Sequence, residues 1–301
     1  MTTTNREPDV QFVSVFGAGP NGGNPAPIVI DAAGMTDAEM QKVAQTYGHE
    51  SGFVLAPPAG SDDDFEFRFW VPNHEMSMCG HATVGTVWLL QELGKLHKDR
   101  FSILTKSGRV HARIGVSANR GVSVEVSQPA GIVEPLPDAA RSADEILEVL
   151  GIDKDDLAPF PIQNARTSRI KTLIPLKSAA ILDGLKPDFT KIEQLCNRID
   201  STGLYPYAVV DREAQIVDAR QFPSSSGYPE DAATGIAASA LSFGLLANGI
   251  VEASERLITI RQGRAMQRPS AIHVRFSLDG TTPNGCWLGG AVQRTVCEKV
   301  A

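Results

Sequence analysis

An apolar run from Val10 to Phe16 is followed by Gly17-Ala18-Gly19-Pro20-Asn21-Gly22-Gly23-Asn24-Pro25 and then by a β-branched run, Ile28-Val29-Ile30. The glycines match the G-x-G-x-x-G spacing of a dinucleotide-binding turn. That turn works only where a strand feeds a helix whose first amides hold a pyrophosphate. Here Pro25 and Pro27 stand where the helix would be, and β-branched residues follow them. The pattern predicts a strand, a glycine loop and a second strand, and it argues against a dinucleotide site.

Farther along, Thr36 and Glu39 form a capping-box signature ahead of Met40, Val43 and Ala44, which share one face of a helix over 36–45. Gly52-Phe53-Val54-Leu55-Ala56 reads as a strand. In Asp64-Phe65-Glu66-Phe67-Arg68-Phe69-Trp70 aromatic and charged residues alternate, as in a half-buried strand. The stretch from Cys79 to Leu90 is small at first and bulky later, ends at Leu93-Gly94 and lacks a polar face. It predicts a buried helix with a glycine stop, whose N-terminus lies inside the protein.

This pattern occurs twice. Displaced by about 155 residues, Cys79-Gly80-His81-Ala82 falls on Thr234-Gly235-Ile236-Ala237, Gly94 on Gly249 and Gly108-Arg109 on Gly263-Arg264. The helix after Asp37 has a counterpart after Asp188. A duplication predicts two pseudo-symmetric α/β lobes, residues 1–128 and 129–301, with the last strand crossing back to the first lobe. Two buried helix starts, after Met78 and after Ala233, would then offer amides and positive dipole ends to a small carboxylate in the cleft between the lobes.

Composition narrows the class further. With 301 residues, 42% hydrophobic and 21% charged, the chain suits one large or two medium globular domains. A formal charge of −7 without long runs of one sign argues against nucleic acid and against a basic membrane helix. The first residues, Met1 to Pro8, lack the apolar core of a signal peptide, so a cytoplasmic protein without membrane association is expected. Four cysteines, Cys79, Cys196, Cys286 and Cys297, are scattered without C-x-x-C spacing; neither a disulfide framework nor a metal site is expected, and at least three should be core thiols.

Four blocks in order carry a resemblance. They are Gly23-Asn24-Pro25-Ala26, Gly48-His49-Glu50-Ser51-Gly52-Phe53-Val54, Trp70 to Thr83 with Cys79-Gly80-His81-Ala82-Thr83 at its end, and Pro229-Glu230-Asp231-Ala232-Ala233-Thr234-Gly235. Together they resemble the PhzF-like isomerases of phenazine biosynthesis across nearly the whole chain. The resemblance implies a diaminopimelate epimerase-like fold of class α/β (α+β), each lobe a sheet wrapped around a central helix. It also implies a cofactor-independent acid/base isomerase acting on a small carboxylic acid; a homodimer is expected.

By the same resemblance Glu50 is the catalytic carboxylate, moving a proton from one carbon to another. His81 and Asp231 are further catalytic groups, and Asn24, Cys79, Gly80, Thr234 and Gly235 line the substrate site. Read from residues alone, Glu50 lies between a helix and an apolar strand, where drying suits a carboxylate to act as both base and acid. Three other readings stay open: an exposed turn glutamate at 50, a core histidine at 81 and a helix cap at 231. Cys79 pairs in the repeat with Thr234, a poor base, which disfavours a two-thiol racemase. A one-thiol dehydratase and a non-catalytic carboxylate-binding protein remain alternatives. The chain departs from the family pattern at Ala232, Ile236 and Ala237, where a more apolar cleft is expected, and at Ser14, where the family has an acidic residue; the substrate is left open.

Overall fold

The computed structural model describes residues 7–116, 121–224, 226, 228–296 and 299–300. The chain divides into two compact units. One takes in the chain up to Val15, Asn24–Val126 and the chain from Gly290 onward; the other comprises Phe16–Gly23 and Ser127–Gly289. Fold class is as expected, a mixed α/β chain dominated by sheet.

The first unit begins with β1 (Val10–Val15) and β2 (Asn24–Val29), an antiparallel pair joined by the glycine loop. Next come α1 (Asp37–Tyr47), β3 (Ser51–Leu55), β4 (Phe65–Trp70), the short β5 (Glu75–Met76), α2 (Gly80–Glu92), β6 (Arg100–Thr105), β7 (Gly108–Val116) and β8 (Val122–Pro129). β2 pairs parallel with β3, β3 antiparallel with β4, β4 parallel with β6, and β6 to β8 form a meander. Helix α1 starts as its sequence requires. Thr36 Oγ1 accepts from the Glu39 amide, Glu39 Oε2 accepts from the Thr36 amide at 2.7 Å, and Gly48 ends the helix at φ 67°. Its Met40, Val43 and Ala44 pack with Phe53 and Trp70 on one face of the sheet. Helix α2 packs against β1, β2 and β3, and almost all of its residues are buried.

The second unit contains β9 (Ile132–Pro135), α3 (Ala139–Leu150), β10 (Gln163–Arg166), β11 (Lys171–Leu176), α4 (Ala179–Gly184), α5 (Phe189–Arg198), β12 (Gly203–Asp211), β13 (Ile216–Ala219), β14 (Phe222–Pro223), α6 (Gly235–Ala247), β15 (Ile258–Gln262), β16 (Ser270–Asp279) and β17 (Thr282–Gly289). The chain closes with β18 (Val292–Arg294), which belongs to the first unit and pairs antiparallel with β1. In the second unit β11 runs parallel to β12, β12 antiparallel to β13, β13 parallel to β15, and β15 to β17 form a meander. Helices α3, α4 and α5 bury Ile146, Leu150, Leu182, Ile192 and Leu195 together with Ile174 and Leu204. Helix α6 packs against β9, β10, β11, β16 and β17.

The two strand orders are therefore the same, and the register closes. Matching Phe53 to Ala208 makes Arg68 match Asp218 and Glu66 match Ile216; through the parallel pairs, Leu104 then matches Thr259. Phe53 and Ala208, Leu104 and Thr259, and the helix starts Gly80 and Gly235 are each separated by 155 residues. Gly94 and Gly249 both follow their helices with left-handed backbone, φ 65° and 64°.

The glycine loop belongs to the second unit and has a packing reason for its composition. A Cβ on Gly22 would stand 1.9 Å from the Pro269 carbonyl oxygen. The Ala18 amide donates to Pro269 O at 2.9 Å, the Gly23 amide to Ser270 Oγ at 3.0 Å, and Arg268 Nη2 to Gly23 O at 2.9 Å. Of the four cysteines, Cys79, Cys196 and Cys286 are buried thiols outside any disulfide, and Cys297 lies outside the described residues. Among the described residues, no helix is long and apolar enough to cross a membrane.

Candidate active site

The candidate residues fall into two groups, each built at the start of a buried helix. Asn24, Glu50, Cys79, Gly80 and His81 belong to the first unit; Asp231, Thr234 and Gly235 belong to the second.

In the first group, Gly80 opens α2 and Cys79 is its N-cap, with φ −136° and ψ 110°. The Cys79 side chain does not cap the helix; its Sγ lies 3.4 Å from His81 Nδ1. Thr83 donates its hydroxyl to the Cys79 carbonyl at 2.7 Å, holding this turn. His81 is buried, and its Nε2 has no hydrogen-bond partner among the described residues. Burial lowers the His81 pKa below the usual histidine range; the Glu50 charge and the Pro25 carbonyl oppose that shift, and His49 adds to it. The imidazole is therefore poised neutral, able to accept or hand on a proton. Glu50 is half-buried in the turn between the left-handed Gly48 and β3, close enough for its charge to act on His81. Asn24, the first residue of β2, is buried.

The second group is organised differently. Thr234 is the N-cap of α6, with φ −122° and ψ 93°, and it too makes no side-chain cap. Its hydroxyl donates to Asp231 Oδ2 at 2.5 Å. The Asp231 amide donates to Gln221 O at 3.1 Å. The neighbouring Glu230 is locked by Arg220 through two contacts, 2.9 and 2.7 Å, and Arg220 Nη1 also donates to the carbonyls of Leu182 and Leu185. A Cβ on Gly235 would come within 2.7 Å of Leu288 Cδ2, so a side chain here would require Leu288 to shift.

Three polar residues near Asp231 carry no signal in the sequence. Gln262, at the end of β15, donates from Nε2 to the Asp231 carbonyl at 2.7 Å and to Thr234 Oγ1 at 3.2 Å. Tyr205 OH donates to Gln262 Oε1 at 2.9 Å. Lys171 is buried at the start of β11, its Nζ 3.4 Å from Thr202 O. Burial pulls its pKa down to about 8, with Arg169 adding to the shift and the charges of Asp231 and Cys196 opposing it. Each stands in a strand of ordinary appearance and finds its partner only across the fold.

Two α/β units with a repeated strand order, each with polar groups at the start of an apolar central helix, define the class to which this protein belongs. A probable proline racemase from Agrobacterium radiobacter shares this fold at a TM-score of 0.62 and 13% identity, over 97% of this chain and 92% of that one. The particular family follows from the sequence: residues 13–291 match the PhzC-PhzF family model, described as phenazine biosynthesis-like protein, and the chain belongs to that family. A PhzF-family protein from Bacillus anthracis superposes with a TM-score of 0.84 at 26% identity, covering 97% of this chain and 98% of the other. An uncharacterized isomerase from Deinococcus radiodurans is 30% identical over 94% of this chain and 92% of its own length. Trans-2,3-dihydro-3-hydroxyanthranilate isomerase from Pseudomonas aeruginosa is 30% identical over 87% and 88%.

Proposed function

We propose that this protein is a cofactor-independent isomerase that moves a proton, with a double-bond shift, on a small cyclic carboxylic acid of secondary metabolism. Glu50 takes the proton from one carbon and returns it to another. His81 handles the proton beside it, and Asp231 supplies the second polar group. Asn24, Cys79, Gly80, Thr234 and Gly235 hold the substrate, with helix-start amides favouring its carboxylate. One observation carries this reading above the others: a buried histidine with an unpartnered Nε2 sits within the field of Glu50 at the uncapped start of α2. A carboxylate beside a neutral imidazole can pass a proton in either direction without a metal or a second thiol.

The names of the relatives support the reaction class. The test uses trans-2,3-dihydro-3-hydroxyanthranilate, the compound in the name of the Pseudomonas relative, together with other small ring acids, followed by NMR in deuterated water. Glu50→Gln keeps the shape of the side chain but cannot accept a proton, so ligand should still bind while turnover falls roughly 10²–10⁴-fold. Some of the original proton should return to the product.

A second reading has its own observation, the 3.4 Å approach of Cys79 Sγ to His81 Nδ1. An imidazole beside a thiol can activate it, as a racemase or dehydratase would need. If Cys79→Ser abolishes proton exchange while Glu50→Gln leaves it intact, the thiol is the base and the isomerase reading fails.

A further inference from the structure

We propose that Gln262 is a positioning residue for the reaction: its amide directs the Thr234 hydroxyl onto Asp231 and fixes the first turn of α6, while Tyr205 holds that amide in place. This rests on the reading that Asp231 and Thr234 serve the substrate. Gln262 is 2% exposed and Tyr205 fully buried, so the bond between them is shielded from water, while Asp231 and Thr234 are half-buried.

The direction of every bond is dictated by groups that cannot change role. The Thr234 amide can only donate, and it points at Gln262 Oε1 at 3.4 Å. The Asp231 carbonyl can only accept, and it faces Nε2 at 2.7 Å. The amide is therefore set one way round. Nε2 then donates to Thr234 Oγ1, which leaves the threonine hydrogen to go to Asp231 Oδ2. Tyr205 closes the chain. Burial, with the Asp231 charge adding to it, raises its pKa far above the usual tyrosine range, so the phenol stays a donor to Oε1.

The repeat shows that this arrangement is particular to the second unit. By the closed register Tyr205 matches Glu50, and Gln262 matches Ser107. Ser107 instead shares a hydrogen bond with Thr105 and donates its amide to Ser77 O. The position that holds the proposed base in one unit holds a neutral hydroxyl in the other. Nearby charge comes from Lys171 on β11, whose field meets Asp231, and from Glu230, already paired with Arg220.

The test follows the Asp231 carboxyl by carbon-13 NMR in the full chain, assigned by its loss in Asp231→Asn, as pH is varied. It needs no substrate, so its outcome is separate from the turnover of Asp231→Asn, which tests the functional reading. A hydrogen bond donated to a carboxylate favours the ionised form, so Thr234→Val should raise the Asp231 midpoint by roughly half a pH unit or more. Gln262→Met should raise it by at least half as much as Thr234→Val, and Tyr205→Phe by less in the same direction. A merely structural glutamine would lower stability without moving the midpoint. If Gln262→Met fails to fold, Tyr205→Phe/Gln262→Met removes the hydroxyl that the single change strands and replaces it in the series. The proposal is overturned if the glutamine variants leave the midpoint at its wild-type value or lower it, or if Thr234→Val does not move it.

Discussion

The helices α2 and α6 start from N-caps with similar backbone, φ −136° and ψ 110° at Cys79 against φ −122° and ψ 93° at Thr234, and neither is capped by its own side chain. Their chemistry differs. At α2 a buried imidazole retains an unpartnered nitrogen beside a thiol, within the field of Glu50. At α6 the Thr234 hydroxyl, the Thr234 amide and the Asp231 backbone carbonyl all bond one buried glutamine, itself held by a tyrosine, and the hydroxyl donates to the Asp231 carboxylate. A duplicated backbone thus preserves where polar groups are presented, and on the proposed function the side chains divide the work. One end keeps unused hydrogen-bonding capacity suited to proton transfer; the other spends its capacity on holding geometry.

The largest expected contrast is between matched positions. Glu50→Gln should lower turnover roughly 10²–10⁴-fold, and Tyr205→Phe should lower it less than tenfold, since the phenol acts through Gln262. Steady-state rates on a turned-over ring acid check this, and equal losses would break the division of labour. Cys79→Ser should resemble Tyr205→Phe.

Lys171 provides the next effect, on stability. Its pKa of about 8 in the fold, against 10.5 for an ordinary lysine, means that the folded state binds the proton less tightly than the unfolded chain. The penalty is fully present below pH 8 and disappears as pH rises to about 10.5, amounting to about 3 kcal/mol as an upper figure. Urea unfolding should show wild-type stability climbing through that window, and Lys171→Met should be more stable at pH 7 without the climb. A fall in turnover for this variant would show that the cost is retained for function.

Packing of the central helices comes third. In α6 a Cβ on Gly244 would meet Leu173 Cδ1 at 2.3 Å; in α2 one on Gly85 would meet the methyl groups of Val13 and Val15 at 2.8 and 2.9 Å. Alanine normally favours a helix over glycine, yet overpacking against the sheet wins here, and each substitution should cost about 1–3 kcal/mol in thermal unfolding. The smallest effect sits at His81. Its lowered pKa contributes stability that is present above the ordinary value of 6.5 and lost as pH falls toward the folded value, because only the unfolded imidazole takes up the proton. Stability of His81→Gln should therefore decline less than wild type between pH 7 and pH 5.

Local pattern was enough to read much of the chain. The capping box at Thr36 and Glu39, the alternation from Phe65 to Trp70 and the apolar helices ending before Gly94 and Gly249 are each decided by residues within a few positions of one another. The proline pair after the glycine loop was sufficient to exclude a helix there, and the repeated small-residue helix starts disclosed the duplication. Helices α3 and α4 escaped that reading, since they have no counterpart in the first unit and pack into a core assembled from distant segments.

What only the tertiary structure decided is which polar residues become partners. Tyr205, Asp231 and Gln262 lie on β12, before α6 and on β15, and their bonds form because the strand order brings those segments together. Likewise the glycines at 17–23 resemble a phosphate loop in sequence, but it is the Pro269 backbone, nearly 250 residues away, that forbids a side chain at Gly22. Secondary structure follows from short-range sterics and hydrophobic period, which a sequence carries openly. Hydrogen-bond satisfaction of a buried polar group depends on who else is buried beside it, and that is settled only when the sheet closes.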